Sequence, residues 1–140
     1  MFFQEKKQNK NFFTEKYSIE ERKNEIQRRM LKHPERVPVY INKDHNSTIN
    51  DITRHKFLVP ENLTIGEFMM VIRKNIKLLP EQAIILFIQT VDNDIILAPT
   101  SETIGSIYYK NVLSFKNDDK YKNNIDGYLY LIYSGENTFG

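Results

Sequence analysis

Side chains able to do chemistry are few in this sequence, and their spacing argues against a catalytic centre. The three histidines, His33, His45 and His55, fall at an expected helix end and in a polar stretch, without the short gaps that hold a metal ion. Asp92 and Asp94, and the pair Asp118-Asp119, lie in turn-like segments that lack the ligand order of a calcium loop. Cysteine is absent, which removes thiol nucleophiles, disulfides and cysteine-based zinc sites. The five glycines are isolated, so there is no phosphate cradle and no nucleophile elbow. No enzymatic activity, metal or cofactor is expected.

The C-terminus is chemically distinctive. A polar, extended tail ending at Gly140 presents a carboxylate with no side chain beside it. Such a thin segment can thread a narrow tunnel, be adenylated and pass to a thiol. On the tail alone, this reading and that of a chance terminal glycine stand level.

The elements that would carry the tail follow from patterning. The 140 residues fit one domain with a real core. With 40% hydrophobic and 27% charged residues, the chain reads as soluble and globular. No apolar run approaches the roughly 20 residues of a membrane span, and no secretory leader is expected in the first residues, so a cytoplasmic location is the default. A net charge of +2 gives no reason to expect nucleic acid as a partner. Residues 1–17, with Phe2, Phe3, Phe12 and Phe13 set among polar residues, read as a flexible arm. Ser18 and Glu21 form a capping box, opening a helix with a narrow stripe of Ile19, Ile26 and Met30 that stops at His33-Pro34. Residues 36–42 alternate as a strand, in which Pro38 requires an edge or a non-bonded position. A polar loop over 43–55 leads to a short strand at 56–59, closed by Pro60.

Thr64 and Glu67 cap a second helix, whose broad face is Ile65, Phe68, Met69, Ile72 and Ile76; Leu78-Leu79-Pro80 ends it. The continuous apolar run 83–88 reads as a strand buried on both faces. Asp92-Asn93-Asp94 turns it into Ile95-Ile96-Leu97. Ser101 is the expected cap of a third helix carrying Ile104, Ile107 and Tyr108. Residues 116–126 are polar enough for a disordered loop. Asp126-Gly127 then leads into the run 128–133, whose lack of polar side chains other than hydroxyls places it at the sheet centre. The order gives an α+β fold: a β-grasp with an N-terminal helical extension, divided as arm 1–17, domain 18–134 and tail 135–140.

Five ordered motifs carry a family resemblance. They are His33-Pro34-Glu35-Arg36-Val37-Pro38-Val39; Lys56-Phe57-Leu58-Val59-Pro60; Leu63-Thr64-Ile65-Gly66-Glu67-Phe68 with Ile72-Arg73-Lys74; Asp126-Gly127-Tyr128-Leu129-Tyr130; and Tyr133-Ser134-Gly135-Glu136-Asn137-Thr138-Phe139-Gly140. From about residue 13 onward the chain resembles the GABARAP and microtubule-associated-protein light chain 3 family, the ubiquitin-like autophagy-related protein 8 group. The resemblance implies conjugation of Gly140 to phosphatidylethanolamine by ubiquitin-like E1 and E2 enzymes, and reversal by a cysteine protease. It further implies residence on the autophagosome membrane when lipidated, and recruitment of cargo receptors and adaptors through aromatic-x-x-aliphatic motifs.

Strand chemistry suggests how such a motif would dock. An edge strand over 56–60 can accept an extended peptide as a further strand. Lys56 and Leu58 point one way, Phe57 and Val59 the other, so peptide anchors three apart find separate pockets. Carried over by position, the first pocket takes Glu25, Pro38, Lys56, Leu58 and Tyr128. The second takes Phe57, Val59, Pro60, Leu63, Phe68 and Val71. Arg36, Arg54 and Lys56 are placed to meet acids flanking the motif.

The sequence departs from the family in several places. Arg29 stands where an aliphatic residue is usual, with Met30 beside it as the substitute, and Asn75 replaces a commonly basic position. The chain is longer than usual around 90–96 and 111–125, both expected to be surface loops. The alternatives are a modifier of proteins, against which the lack of Trp and the Asn-Thr-Phe-Gly ending speak, and an unconjugated peptide-binding β-grasp domain.

Overall fold

A computed structural model describes residues 12–135. It contains α1 (Phe12–Lys16), α2 (Ile19–Lys32), β1 (Arg36–Lys43), β2 (Lys56–Pro60), α3 (Ile65–Ile76), β3 (Ile84–Gln89), β4 (Ile95–Leu97), α4 (Ile104–Asn111), a 3-10 turn (Leu113–Phe115) and β5 (Leu129–Gly135). The five strands are ordered β2-β1-β5-β3-β4. β1 and β5 run parallel, and the other neighbours pair antiparallel. This is the expected β-grasp, with α3 and α4 packed on one face of the sheet and α1 and α2 added on the other.

Helix α3 shows how sequence becomes packing. Thr64 and Glu67 each accept the other's backbone N–H, fixing the first turn. Lys77, in the left-handed region at φ 54, ends the helix before Leu78. Between these ends Ile65, Phe68, Ile72 and Ile76 are buried to 2% exposure or less, and each such side chain contributes about 1.5–3 kcal/mol of burial. They meet Val37, Val39, Ile41, Phe57 and Val59 from β1 and β2, and Leu129, Leu131 and Tyr133 from β5.

The sequence asked for an edge or a non-bonded position at Pro38; the structure gives the second. β1 lies inside the sheet. Pro38 pairs with Leu58, one step out of phase with Ile41, whose N–H donates to His55 O at 2.9 Å. Odd-numbered residues of β1 therefore bond to β2, and Pro38 turns its missing donor towards β5, where pairing begins only at Val39.

Several expectations need correction. The arm is helical from residue 12, because Phe13 has a place to go: its ring stacks on Tyr40 at 4.5 Å and is 6% exposed. Phe2, Phe3 and the rest of 1–11 lie outside the described residues. β3 is not buried on both faces; Ile84, Leu86 and Ile88 are buried while Ile85 and Phe87 are half-exposed. The added helices cover β1 and the start of β5, and β3 lies beyond that cover.

The cap of α4 is Thr103, not Ser101. A bridge between Thr64 and Thr103, together with Ile65 N–H donating to Glu102 O, holds this segment beside the start of α3, so the helix begins after it. Residues 116–124 form successive turns where disorder was expected. Asp118 Oδ1 accepts from Lys120 N–H, and Tyr121 donates its hydroxyl to Asp92. β5 also runs through Gly135, one residue into the expected tail; Gly135 N–H donates to Ser47 Oγ at 3.1 Å.

The cap assignment is directly testable. Thr103→Ala is expected to cost about 1 kcal/mol in urea unfolding, whereas Ser101→Ala should stay within about 0.5 kcal/mol. Equal losses would return the cap to Ser101.

Candidate functional site

β2 is a sheet edge, with no strand beyond it among the described residues. Because Phe57 and Val59 bond inward to β1, the backbone groups of Lys56 and Leu58 face outward. Two of their carbonyls already have partners. Arg36 Nη1 donates to Leu58 O at 3.1 Å, and Arg54 Nε donates to Lys56 O at 3.1 Å. The resting edge thus carries two guanidinium groups on the oxygens that an added strand would use.

Lys56 and Leu58 share the α2 face with Tyr40 and Pro38, their cross-strand partners. Lys56 Nζ donates to Glu25 Oε2 at 2.7 Å, and Tyr128 donates its hydroxyl to Glu25 Oε1 at 2.7 Å. Burial pushes the Glu25 carboxyl up. Hydrogen bonds from Lys56 and Tyr128, with the charge on Lys56, outweigh that and hold it below its ordinary 4.5. Burial, and then the bond to Glu25, push the Tyr128 hydroxyl far up, keeping it a donor.

The Lys56 ammonium also lies 4.5 Å from the centroid of Phe13. Phe13 packs edge-on against Tyr128 at 5.6 Å, and Tyr40 stacks on His55. A cavity of about 300 Å3 remains between the added helices and the strand, lined by Phe13, Tyr17, Glu25, Arg28 and Lys56 among others. Leu58 is half-buried and lies outside this lining. Met30 packs against the cluster of Phe13, Ile26, Tyr40 and Tyr128.

The sequence matches the family described as "Autophagy protein Atg8 ubiquitin like" over residues 21–140. The chain belongs to the Atg8 family. Autophagy-related protein 8 of Schizosaccharomyces pombe is 45% identical over 128 residues, covering 91% of this chain and 93% of that protein. Autophagy-related protein 8d of Arabidopsis thaliana is 41% identical, with the same two coverages. The crystal structure of Trypanosoma brucei ATG8 superposes with a TM-score of 0.71 at 35% identity, covering 94% of this chain and 99% of that one. The resemblance and the fold read from the sequence are therefore borne out. The chain is an autophagy-related ubiquitin-like protein, and no helix among its described residues is long and apolar enough to cross a membrane.

Among the Atg8 positions carried over for the first pocket, Glu25, Lys56 and Tyr128 are hydrogen-bonded together, and Pro38 and Leu58 pair on the same face. The second set divides. Phe57, Val59 and Phe68 are 5%, 3% and 1% exposed, and the two phenyl rings pack edge-to-face at 5.4 Å. They form a floor. Pro60 and Leu63 are half-buried and Val71 is 36% exposed, so accessible apolar atoms come from these three. Arg54 lies 4.5 Å over the Phe57 ring, and Asn75 donates to its own helix at Val71 O.

Sequence reading missed Phe13, which the structure places at the centre of the ring cluster. An aromatic inside a polar stretch was the available signal. It also missed Arg22, whose guanidinium pairs with buried Asp126 at 3.1 Å across 104 residues.

Ionised Glu25 stabilises the fold above its ordinary carboxyl value. That contribution is lost as pH falls through the lowered folded value. The destabilisation caused by Glu25→Gln should therefore be greatest at neutral pH and shrink below about pH 4, as read by urea unfolding at stepped pH. A difference that does not change with pH would sink the pairing.

Proposed function

We propose that this Atg8-family protein is a ubiquitin-like modifier joined through Gly140 to phosphatidylethanolamine. In this reading it acts in autophagosome formation and recruits receptors carrying aromatic-x-x-aliphatic motifs. The observation that carries the binding half is the edge strand β2, with outward backbone groups and side chains alternating between the α2 face and the core face. A peptide strand added there continues the sheet. Its aromatic anchor lies beside Leu58, Lys56 and Pro38, and its aliphatic anchor beside Leu63, Pro60 and Val71. Acids next to the motif draw Arg36 and Arg54 off the strand's carbonyls into charge-assisted bonds.

The conjugation half is supported by the family match running to Gly140, and by the position of the tail's root. β5 is the central strand, and its last residue, Gly135, is held by Ser47 and paired with Ile84. The tail therefore leaves a fixed point. Activating and conjugating enzymes, a deconjugating cysteine protease and an autophagosomal location belong to this reading; the protein itself serves as substrate.

Two measurements test the two halves. Leu58→Ala should weaken binding of a peptide with the motif by about 1–3 kcal/mol, the cost of a lost buried aliphatic contact; an unchanged titration would refute the pocket. Mass analysis of the cellular C-terminal peptide should find Gly140 carrying phosphatidylethanolamine. An isopeptide remnant on lysine would instead assign a protein modifier. A bare glycine under both growth and starvation would reduce the protein to a peptide-binding domain.

A further inference from the structure

A cavity of about 710 Å3 opens on the other flank of α2, away from Lys56. Its volume lies in the range of ligand pockets. Ile26, Val37 and Val112 form the floor, Met30 stands on one wall, and Leu113 and Ile125 stand on the other. Leu113 is 42% exposed, and Met30 and Ile125 are half-buried, so apolar atoms reach the opening.

The second wall is the segment after α4, where the chain is longer than is usual for the family. It is tied in place. Phe115 packs edge-on against Tyr121 at 5.1 Å, and the Tyr121 hydroxyl donates to Asp92 at 2.8 Å. Asp92 belongs to the other place where the chain is long, so the two lengthened segments hold each other.

The rim is basic. Lys23, Arg36, Lys116 and Lys122 line it, against Glu61 and Asp126. Asp126 is already paired with Arg22 and accepts from Tyr130 and from Tyr128 N–H. Lys23 and Lys116 have no ion-pair partner among the described residues. Lys122 has only the surface pair with Asp119 at 3.0 Å, a weak contact that a ligand can displace.

Side-chain amides of Gln27, Asn117 and Asn123 stand among these charges. These residues are exposed and free to turn to a peptide backbone, which supplies both donors and acceptors, whereas an acyl chain offers them nothing. We propose that this groove is a second peptide site, taking a short acidic segment of a partner protein that carries one bulky apolar side chain. That side chain seats between Met30 and Leu113, and its flanking carboxylates meet Lys23, Lys116 and Lys122. The groove shares Arg36 and Met30 with the residues assigned to the β2 edge, but Lys23, Lys116, Lys122 and Leu113 serve it alone, so either site can fail without the other.

The test is a titration of the full chain, followed by amide NMR, with a terminally blocked peptide of one leucine flanked by glutamates. A peptide with lysines in place of glutamates is the control. Saturable shifts at Met30, Leu113 and Ile125 are expected with the acidic peptide alone. The double variant Lys116→Glu, Lys122→Glu, at exposed positions that leave the core intact, should weaken binding about tenfold, equivalent to about 1.4 kcal/mol. Leu113→Asp should weaken it to a similar extent. The proposal is overturned by the absence of saturable shifts, by shifts confined to Lys56 and Leu58, by equal binding of the lysine peptide, or by unaltered affinity in these variants. Co-sedimentation with phosphatidylserine vesicles that the double variant abolishes, without peptide binding, would assign the groove to a lipid surface instead.

Discussion

Strand β5 has almost nothing to offer water. Leu129, Leu131, Ile132, Tyr133 and Ser134 are all 2% exposed or less, so both faces of the strand must be covered by something. On one side α3 and α4 supply a conventional apolar layer. On the other, α1 supplies the Phe13 ring and α2 supplies Ile26 and Met30, and the parallel pairing of β1 with β5 sets Tyr40 beside Tyr130 and Val39 beside Leu129. Remove the need to cover that second face and there is no reason for α1 and α2 to dock.

That second layer is built differently from the first. Its contacts are aromatic stacking and edge-on packing, held in place by charged hydrogen bonds: Glu25 joins Lys56 to Tyr128, and Asp126 joins Arg22 to Tyr130. Glu25 connects α2 to Tyr128, just before β5, and Asp126 connects α2 through Arg22 to Tyr130 within that strand. A buried carboxylate is stable only while its partners stay. The helical addition is therefore fixed in register as well as in contact, and one of these carboxylates, Glu25, reaches the edge strand β2 through Lys56.

The elements whose signals were periodic were readable from sequence alone. Both capping boxes, the stripe of α3, the hairpin turn at 92–94 and the central position of β5 follow from local chemistry. What escaped the reading depends on distant partners. Phe13 looked unplaceable because Tyr40 and Tyr128 meet only in the fold. Ser101 reads as the cap until Thr64 comes alongside Thr103 and delays the helix. The loop after α4 looked too polar to order, but Tyr121, packed on Phe115 and donating to Asp92, ties it down. The carried-over site residues show the same division: Glu25, Lys56 and Tyr128 converge, while Phe57 and Val59 were seen to point away from Leu58 without a sign of how deeply they are buried.

The arginines on the outer carbonyls of β2 matter even when no ligand is present. A bare strand edge is a template on which a second copy of the chain could grow, and such growth does not end with two copies. With Arg36 and Arg54 occupying Leu58 O and Lys56 O, two copies brought edge to edge would face like charges and already satisfied acceptors. The edge is thereby kept from pairing with its own kind.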